Sequence, residues 1–159
     1  MVKNISLEAM SAALYEQDFY LWTQATAQVL KNHQWEELDL QNLIEEVESM
    51  GRAEKNALKS NLIVVLLHLL KYAYQPERRS DSWTNSVTEH RIRIEVEIES
   101  NPSLKPYIQE VYDSCYAKAR RLAANDETNL PLVAFPIESP WTSEQSLDST
   151  FLPEIEQHT

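Results

Sequence analysis

Apolar residues recur along this chain at helical rather than strand spacing in almost every segment. Between Asp18 and Lys31, the positions Phe19, Trp22, Ala25, Ala27, Val29 and Leu30 fall mostly on helical spacing, and Asp18 is a suitable N-cap. Asn32-His33-Gln34 then ends the segment. Asp39 is the next cap, and Leu40, Leu43, Ile44, Val47 and Met50 follow it as an i, i+3, i+4 stripe, with Glu45, Glu46 and Glu48 on the other face. The same phase carries on through Gly51 and Glu54 to Leu58, Leu62, Val65 and Leu69. Residues 40–74 are therefore either one long helix or two that meet at Gly51. A glycine inside a helix costs about 1 kcal/mol relative to alanine, which favours a break or a close helix contact there, and a break is expected. From Leu62 to Leu70 the apolar character runs all the way round, the mark of a central helix surrounded by others.

Pro76 ends that helix, because proline lacks the amide hydrogen and disfavours helical geometry at Gln75. Arg91-Ile92-Arg93-Ile94-Glu95-Val96-Glu97-Ile98-Glu99 alternates strictly, which alone reads as a strand. Trp83, Val87, Ile94 and Ile98 nevertheless share one helical face, with Ile92 and Val96 opposite, and the chain offers no second strand to pair with. The segment is expected to be a helix with apolar contacts on two sides. Asn101-Pro102-Ser103 opens the next helix, whose stripe is Leu104, Ile108, Val111, Cys115, Ala119 and Leu122, with Asn125 at its end. Prolines break the apolar run from Leu130 to Trp141, so it should lie extended over the bundle. Thr142 or Ser143 can cap a short last helix reaching about Leu147, and the tail from about Pro153 is expected to be mobile. The pattern predicts an all-α fold: a helical bundle of about five helices with an extended Pro-rich C-terminal segment and a short last helix. It forms one domain over residues 1–159, with its core between about 14 and 153.

Composition narrows the functional classes. A chain of 159 residues, 43% of them hydrophobic, is large enough to fold without disulfide or metal, and a single glycine leaves few of the turns that hairpin-rich folds require. Cys115 is the only cysteine, which excludes an intrachain disulfide and fits a reducing compartment. The N-terminus has no continuous apolar run before Glu8, and the longest apolar run, Leu62 to Leu70, is too short to span a bilayer and contains His68. A cytoplasmic protein without a membrane segment is expected. The formal charge is -11, and no Lys or Arg follows Arg121. The bases are scattered as Arg78-Arg79, Arg91 with Arg93, and Arg120-Arg121, so a nucleic acid is a poor partner.

Chemistry-bearing residues are few. Glu45, Glu46 and Glu48 have the character of hard-metal ligands, but a solvated, salt-bridged face is the stronger reading. The Glu-x-x-His pairs of di-iron bundles are missing, and Glu45-Glu46-Val47-Glu48 is one residue short of the Glu-Glu-x-x-Glu run of nucleotide-pyrophosphatase bundles. Glu54 lies on the apolar phase and needs a partner if the helix is continuous; if it breaks at Gly51, Glu54 is a first-turn acid favoured by the helix dipole. His68, set in the most apolar helix, should be largely buried and take a polar partner from another segment. Arg78 and Arg79 could clamp an anion, or pair with one of the acids at 45, 46 and 48. Cys115 reads as an inert core residue. No phosphate-cradling glycine loop, zinc motif or nucleophile triad is present, so no cofactor or metal is expected. Two classes remain: an interaction or regulatory module that binds protein, either itself or another chain, and a metal-binding protein or enzyme using Glu45, Glu46, Glu48, Glu54 and His68. The two-sided pattern of residues 83–98 and the aromatic segment 130–141 favour the first.

Several strings carry a family resemblance. They are residues 14–23 (Leu-Tyr-Glu-Gln-Asp-Phe-Tyr-Leu-Trp-Thr), residues 43–52 around Glu45-Glu46-Val47-Glu48, His68-Leu69-Leu70-Lys71, Gln75-Pro76-Glu77-Arg78-Arg79-Ser80 with Trp83, Asn101-Pro102-Ser103-Leu104, and Leu130-Pro131 with Phe135-Pro136. Together, in this order over about residues 14–153, they resemble the bacterial family called domain of unknown function 29, abundant in cyanobacteria. The resemblance implies a helical bundle in a bacterial cytoplasmic protein. It implies no activity, so it assigns no catalytic residue.

Overall fold

The computed structural model describes residues 13–125 and 130–154, and among them there is no strand. Residues 13–17 form the described part of helix α1, followed by α2 (Phe19–Lys31), α3 (Leu40–Tyr74), α4 (Asp81–Ser100), α5 (Lys105–Asn125) and α6 (Ser143–Leu147). Single 3-10 turns occupy Trp35–Glu37, Pro76–Arg78, Pro102–Leu104 and Leu132–Ala134. The expected all-α fold is present, and residues 91–99 are helical despite their alternation. The chain divides into two compact units, Met1–Arg52 and Ala53–Thr159, and α3 contributes to both.

In the first unit, Asp18 caps α2 by accepting from the Leu21 amide at 2.9 Å, and the helix ends where His33 takes a left-handed φ of 59°. Trp22 is only 2% exposed, with the rings of Tyr15 and Phe19 at 5.0 and 5.6 Å. Its indole donates to Asp39 at 3.1 Å. Asp39 also accepts from the backbone and side-chain amides of Asn42, so one buried carboxylate both caps α3 and ties it to α2.

Helix α3 passes through Gly51 without a break, contrary to the expected interruption. A side chain at position 51 would meet nothing within 4 Å among the described residues, so none of their contacts explains the glycine either. The glycine's cost of about 1 kcal/mol is offset by strong helix formers on its C-terminal side, Arg52-Ala53-Glu54-Lys55, and by Arg52 reaching back to Glu45 and Glu48. The apolar stripe also departs from expectation, because Leu40, Ile44, Val47 and Met50 are 49–67% exposed.

The second unit carries the main core. Leu58, Leu62, Val65, Leu66, Leu69 and Leu70 of α3 are fully buried against Val87 and Ile94 of α4, against the inner face of α5, and against Phe135. On α5 the buried row ends in Ala119 and Ala123, while Leu122 is 49% exposed. The expected stripe was one residue out of phase at its end, since a step of four from Ala119 keeps the face and a step of three leaves it. Ile92 and Val96 are more than half exposed, so the second apolar side of α4 makes no core contact.

The irregular segment after Leu130 lies over this core, as expected. Prolines at 131, 136, 140 and 153 remove amide donors, and the helices satisfy the segment's carbonyls from the side. Tyr116 donates to Pro136 O at 2.9 Å, and Arg120 donates to Phe135 O at 3.0 Å and Leu132 O at 2.9 Å. The Tyr112 hydroxyl meets Ser146 Oγ at 2.6 Å, Ser139 Oγ at 3.0 Å and Trp141 O at 3.0 Å. Thr142 caps α6 through a capping box with Gln145. The expected mobile tail, residues 155–159, lies outside the described residues, whereas Pro153 is buried.

Candidate functional site

An open concavity of about 560 Å³ lies in the second unit, between one face of α4, the start of α5 and the turn after α6. Ile94, Ile98, Ile108 and Leu147 line it with apolar surface, and Ile92 adds a further apolar wall. This spacing follows from α4 itself, where positions 91, 94, 95 and 98 share a face. Glu95, Glu99 and Lys105 bring charge to the lining, with Thr88 and Ser149 as hydroxyl groups.

Arg91 is the polar feature that makes the groove. It is only 7% exposed, and its Nε donates to Ser146 O while Nη2 donates to Phe151 O, both at 2.9 Å. Burial pulls its pKa down, and the Asp148 carboxylate partly compensates. Asp148 is itself held below the usual carboxylate range, chiefly by the Thr150 hydroxyl and amide, each at 2.7 Å, with a smaller contribution from Arg91. A buried guanidinium thus fixes residues 146–151 along one side of the apolar groove.

The seven polar residues singled out in the sequence fall into separate surroundings. Glu45 and Glu48 are exposed and are answered by Arg52 at 2.6 and 3.7 Å. Glu46 accepts from the Tyr15 hydroxyl, an interaction that pushes the Tyr15 pKa up to about 12. Glu54 sits in mid-helix rather than in a first turn. Its carboxyl hydrogen-bonds that of Glu97, while the Asn101 amide donates to Glu97 at 3.0 Å and to Glu54 at 3.3 Å. That shared arrangement raises the pKa of Glu97, first through the Glu54 hydrogen bond and then through burial. His68 is partly buried on α3 and does not lack a partner. Arg79 donates to Tyr72 O at 2.8 Å and lies 4.1 Å over the Tyr72 ring, and Arg78 is exposed. Cys115 is fully buried, with its thiol pushed up by burial, as a core residue should be. Among the described residues, no three His, Cys, Asp or Glu side chains are placed to hold a metal ion. Likewise among them, no helix is long and apolar enough to cross a membrane.

Sequence reasoning missed Arg91, Tyr112, Tyr116 and Arg120. The signal lay in the Pro-rich segment rather than in these residues. A segment laid on helices with so few amides of its own takes donors from outside, and long polar side chains on the helices beneath supply them.

No curated protein and no solved structure matches the chain. A family model does match, over residues 14–152, which is most of the length and nearly the span over which the sequence strings suggested it. The chain therefore belongs to the family described as Domain of unknown function DUF29.

Proposed function

We propose that this protein is a helical interaction module, and that the groove along α4 takes an apolar helical segment of a partner protein. The observation that carries this reading is the groove itself, an isoleucine-lined concavity of about 560 Å³ left open on a helix whose exposed face also presents Ile92 and Val96. Apolar side chains in an open concavity release water when covered, and a helix with anchors at i, i+3, i+4 and i+7 is the complementary shape. Charge selects the partner's character. The lining offers Glu95 and Glu99 against Lys105, while Arg91 is already engaged with backbone carbonyls, and the whole chain carries -11. A partner helix with basic residues flanking its apolar stripe is favoured on encounter and on docking.

The test is a titration of the 15N-labelled protein with a synthetic Leu/Lys peptide patterned as an amphipathic helix. The expected result is a set of amide shift changes at residues 88–108 and 147–149, abolished by Ile98→Glu. Shift changes spread over the whole surface, or unaffected by Ile98→Glu, would contradict it.

The carboxylate and histidine reading is the weaker alternative. Glu54 and Glu97 do converge, but the described side chain that joins them is the Asn101 amide rather than a third anionic ligand.

A further inference from the structure

The first half of α3 carries a second surface, independent of the groove. Leu40, Ile44, Val47 and Met50 are 56, 49, 60 and 67% exposed, so this apolar stripe is left open by the described residues. At 100° per residue, Leu40, Ile44, Val47 and Gly51 lie within about 60° of one another, which puts the glycine in the middle of the stripe. It is the only glycine in the chain, it sits inside a 35-residue helix, and none of the described residues outside its own turn comes within 4 Å of where its side chain would be. Among the described residues, neither of the two usual reasons for a glycine there is found: the helix does not break, and none of them makes a close approach. What remains is a close approach by another backbone.

The charges beside the stripe specify which backbone. Glu45, Glu48 and Arg52 lie along one edge of it, paired with one another and exposed, while Glu46 lies on the other edge, engaged by Tyr15. A parallel copy would set Glu45 and Glu48 across from Glu46. An antiparallel copy instead sets the first edge against itself, so that Arg52 of each chain faces Glu45 of the other. We infer that a second copy of this chain packs antiparallel on the Leu40–Gly51 face of α3, with the pair centred between Glu48 and Ser49, within one turn of Gly51. The pair is isologous and closes on itself, and it covers the exposed stripe with an identical one. Swapping Glu45 between chains costs little, because the intrachain pair it replaces is solvent-exposed.

The full chain is tested by sedimentation over a range of micromolar concentrations. A dimer is expected for the native sequence, and a monomer of unchanged helicity by circular dichroism for Gly51→Leu, whose side chain fills the approach. Arg52→Glu and Glu45→Arg should each weaken the dimer by about tenfold or more, since each sets like charges opposite. An equimolar mixture of the two should restore it, because both opposed pairs are then of unlike sign. Orientation is read from single cysteines: Glu48→Cys should form an interchain disulfide, and Leu40→Cys should not. Two copies of residue 40 in the antiparallel pair are about 25 Å apart along the axis, at 1.5 Å per residue. A native protein that stays monomeric, a Gly51→Leu variant that still dimerises, a mixture that restores nothing, or a ready crosslink at Leu40→Cys would each overturn the inference. None of these results depends on the α4 groove.

Discussion

Arg91 places two donors on the carbonyls of Ser146 and Phe151, and these bonds decide where the turn after α6 lies. Its replacement by methionine keeps much of the packing volume but leaves two acceptors without donors. Arg91→Met should therefore destabilise by about 1 to 3 kcal/mol in urea denaturation, and Arg91→Lys should recover only part of that, because an ammonium does not reproduce the two-pronged geometry. A loss below about 0.5 kcal/mol for Arg91→Met would show that the turn holds itself in place. Glu97 behaves in the opposite sense. Its pKa is raised in the folded chain by Glu54 and by burial, so the folded state holds its proton more tightly than the unfolded state. The associated stability is present below the ordinary value of 4.5 and is lost as the pH rises through the raised value. Glu97→Gln replaces the titrating carboxyl with a permanently uncharged amide donor. It should raise Tm at pH 7, with the gain shrinking toward zero at pH 4; an equal gain at both values would point to packing rather than charge. Neither residue announced itself in the sequence. Arg91 is one charge in an alternating run, and Glu97 needs Glu54, more than forty positions away, to become unusual.

Among the helices, the pattern was legible wherever burial and periodicity agree. Caps at Asp18, Asp39 and Thr142 and the stop at Pro76 lie where the side-chain chemistry requires them, and residues 91–99 are helical, with no strand among the described residues to pair with them. The errors have a common origin, since periodicity gives the phase of an apolar face and not whether anything covers it. The stripe from Leu40 to Met50 reads the same as that from Leu58 to Leu69, yet the first is exposed and the second fully buried. Gly51 was read as a break because its cost is local, while the continuity of α3 is set by the residues on both sides. The distinction is measurable on α3 and α5. Leu66→Ala should cost about 2 to 5 kcal/mol, since the side chain is fully buried and leaves a cavity. Leu122→Ala, on the exposed side of α5, should change stability by no more than about 0.5 kcal/mol. Similar losses at both sites would mean that α5 packs in the phase first read from its sequence.

At the scale of the molecule, an acidic all-α chain of the Domain of unknown function DUF29 family carries two open apolar surfaces, one in each unit, and no convergent set of three metal-ligating side chains among the described residues. The fold class and the family were readable from the sequence. The groove was not, because it is assembled from α4, the first turns of α5 and a turn some forty residues further on, and its shape depends on a buried arginine that sequence treats as surface charge. The interaction reading is tested most directly by calorimetry of the basic amphipathic peptide binding to the native protein at several temperatures and two salt concentrations. Burial of the isoleucines predicts a negative heat-capacity change, and contact with Glu95 and Glu99 predicts binding that weakens with salt and is reduced by Glu95→Lys with Glu99→Lys. Binding with no heat-capacity change, or binding untouched by both the lysine pair and Ile98→Glu, would contradict the groove as the site.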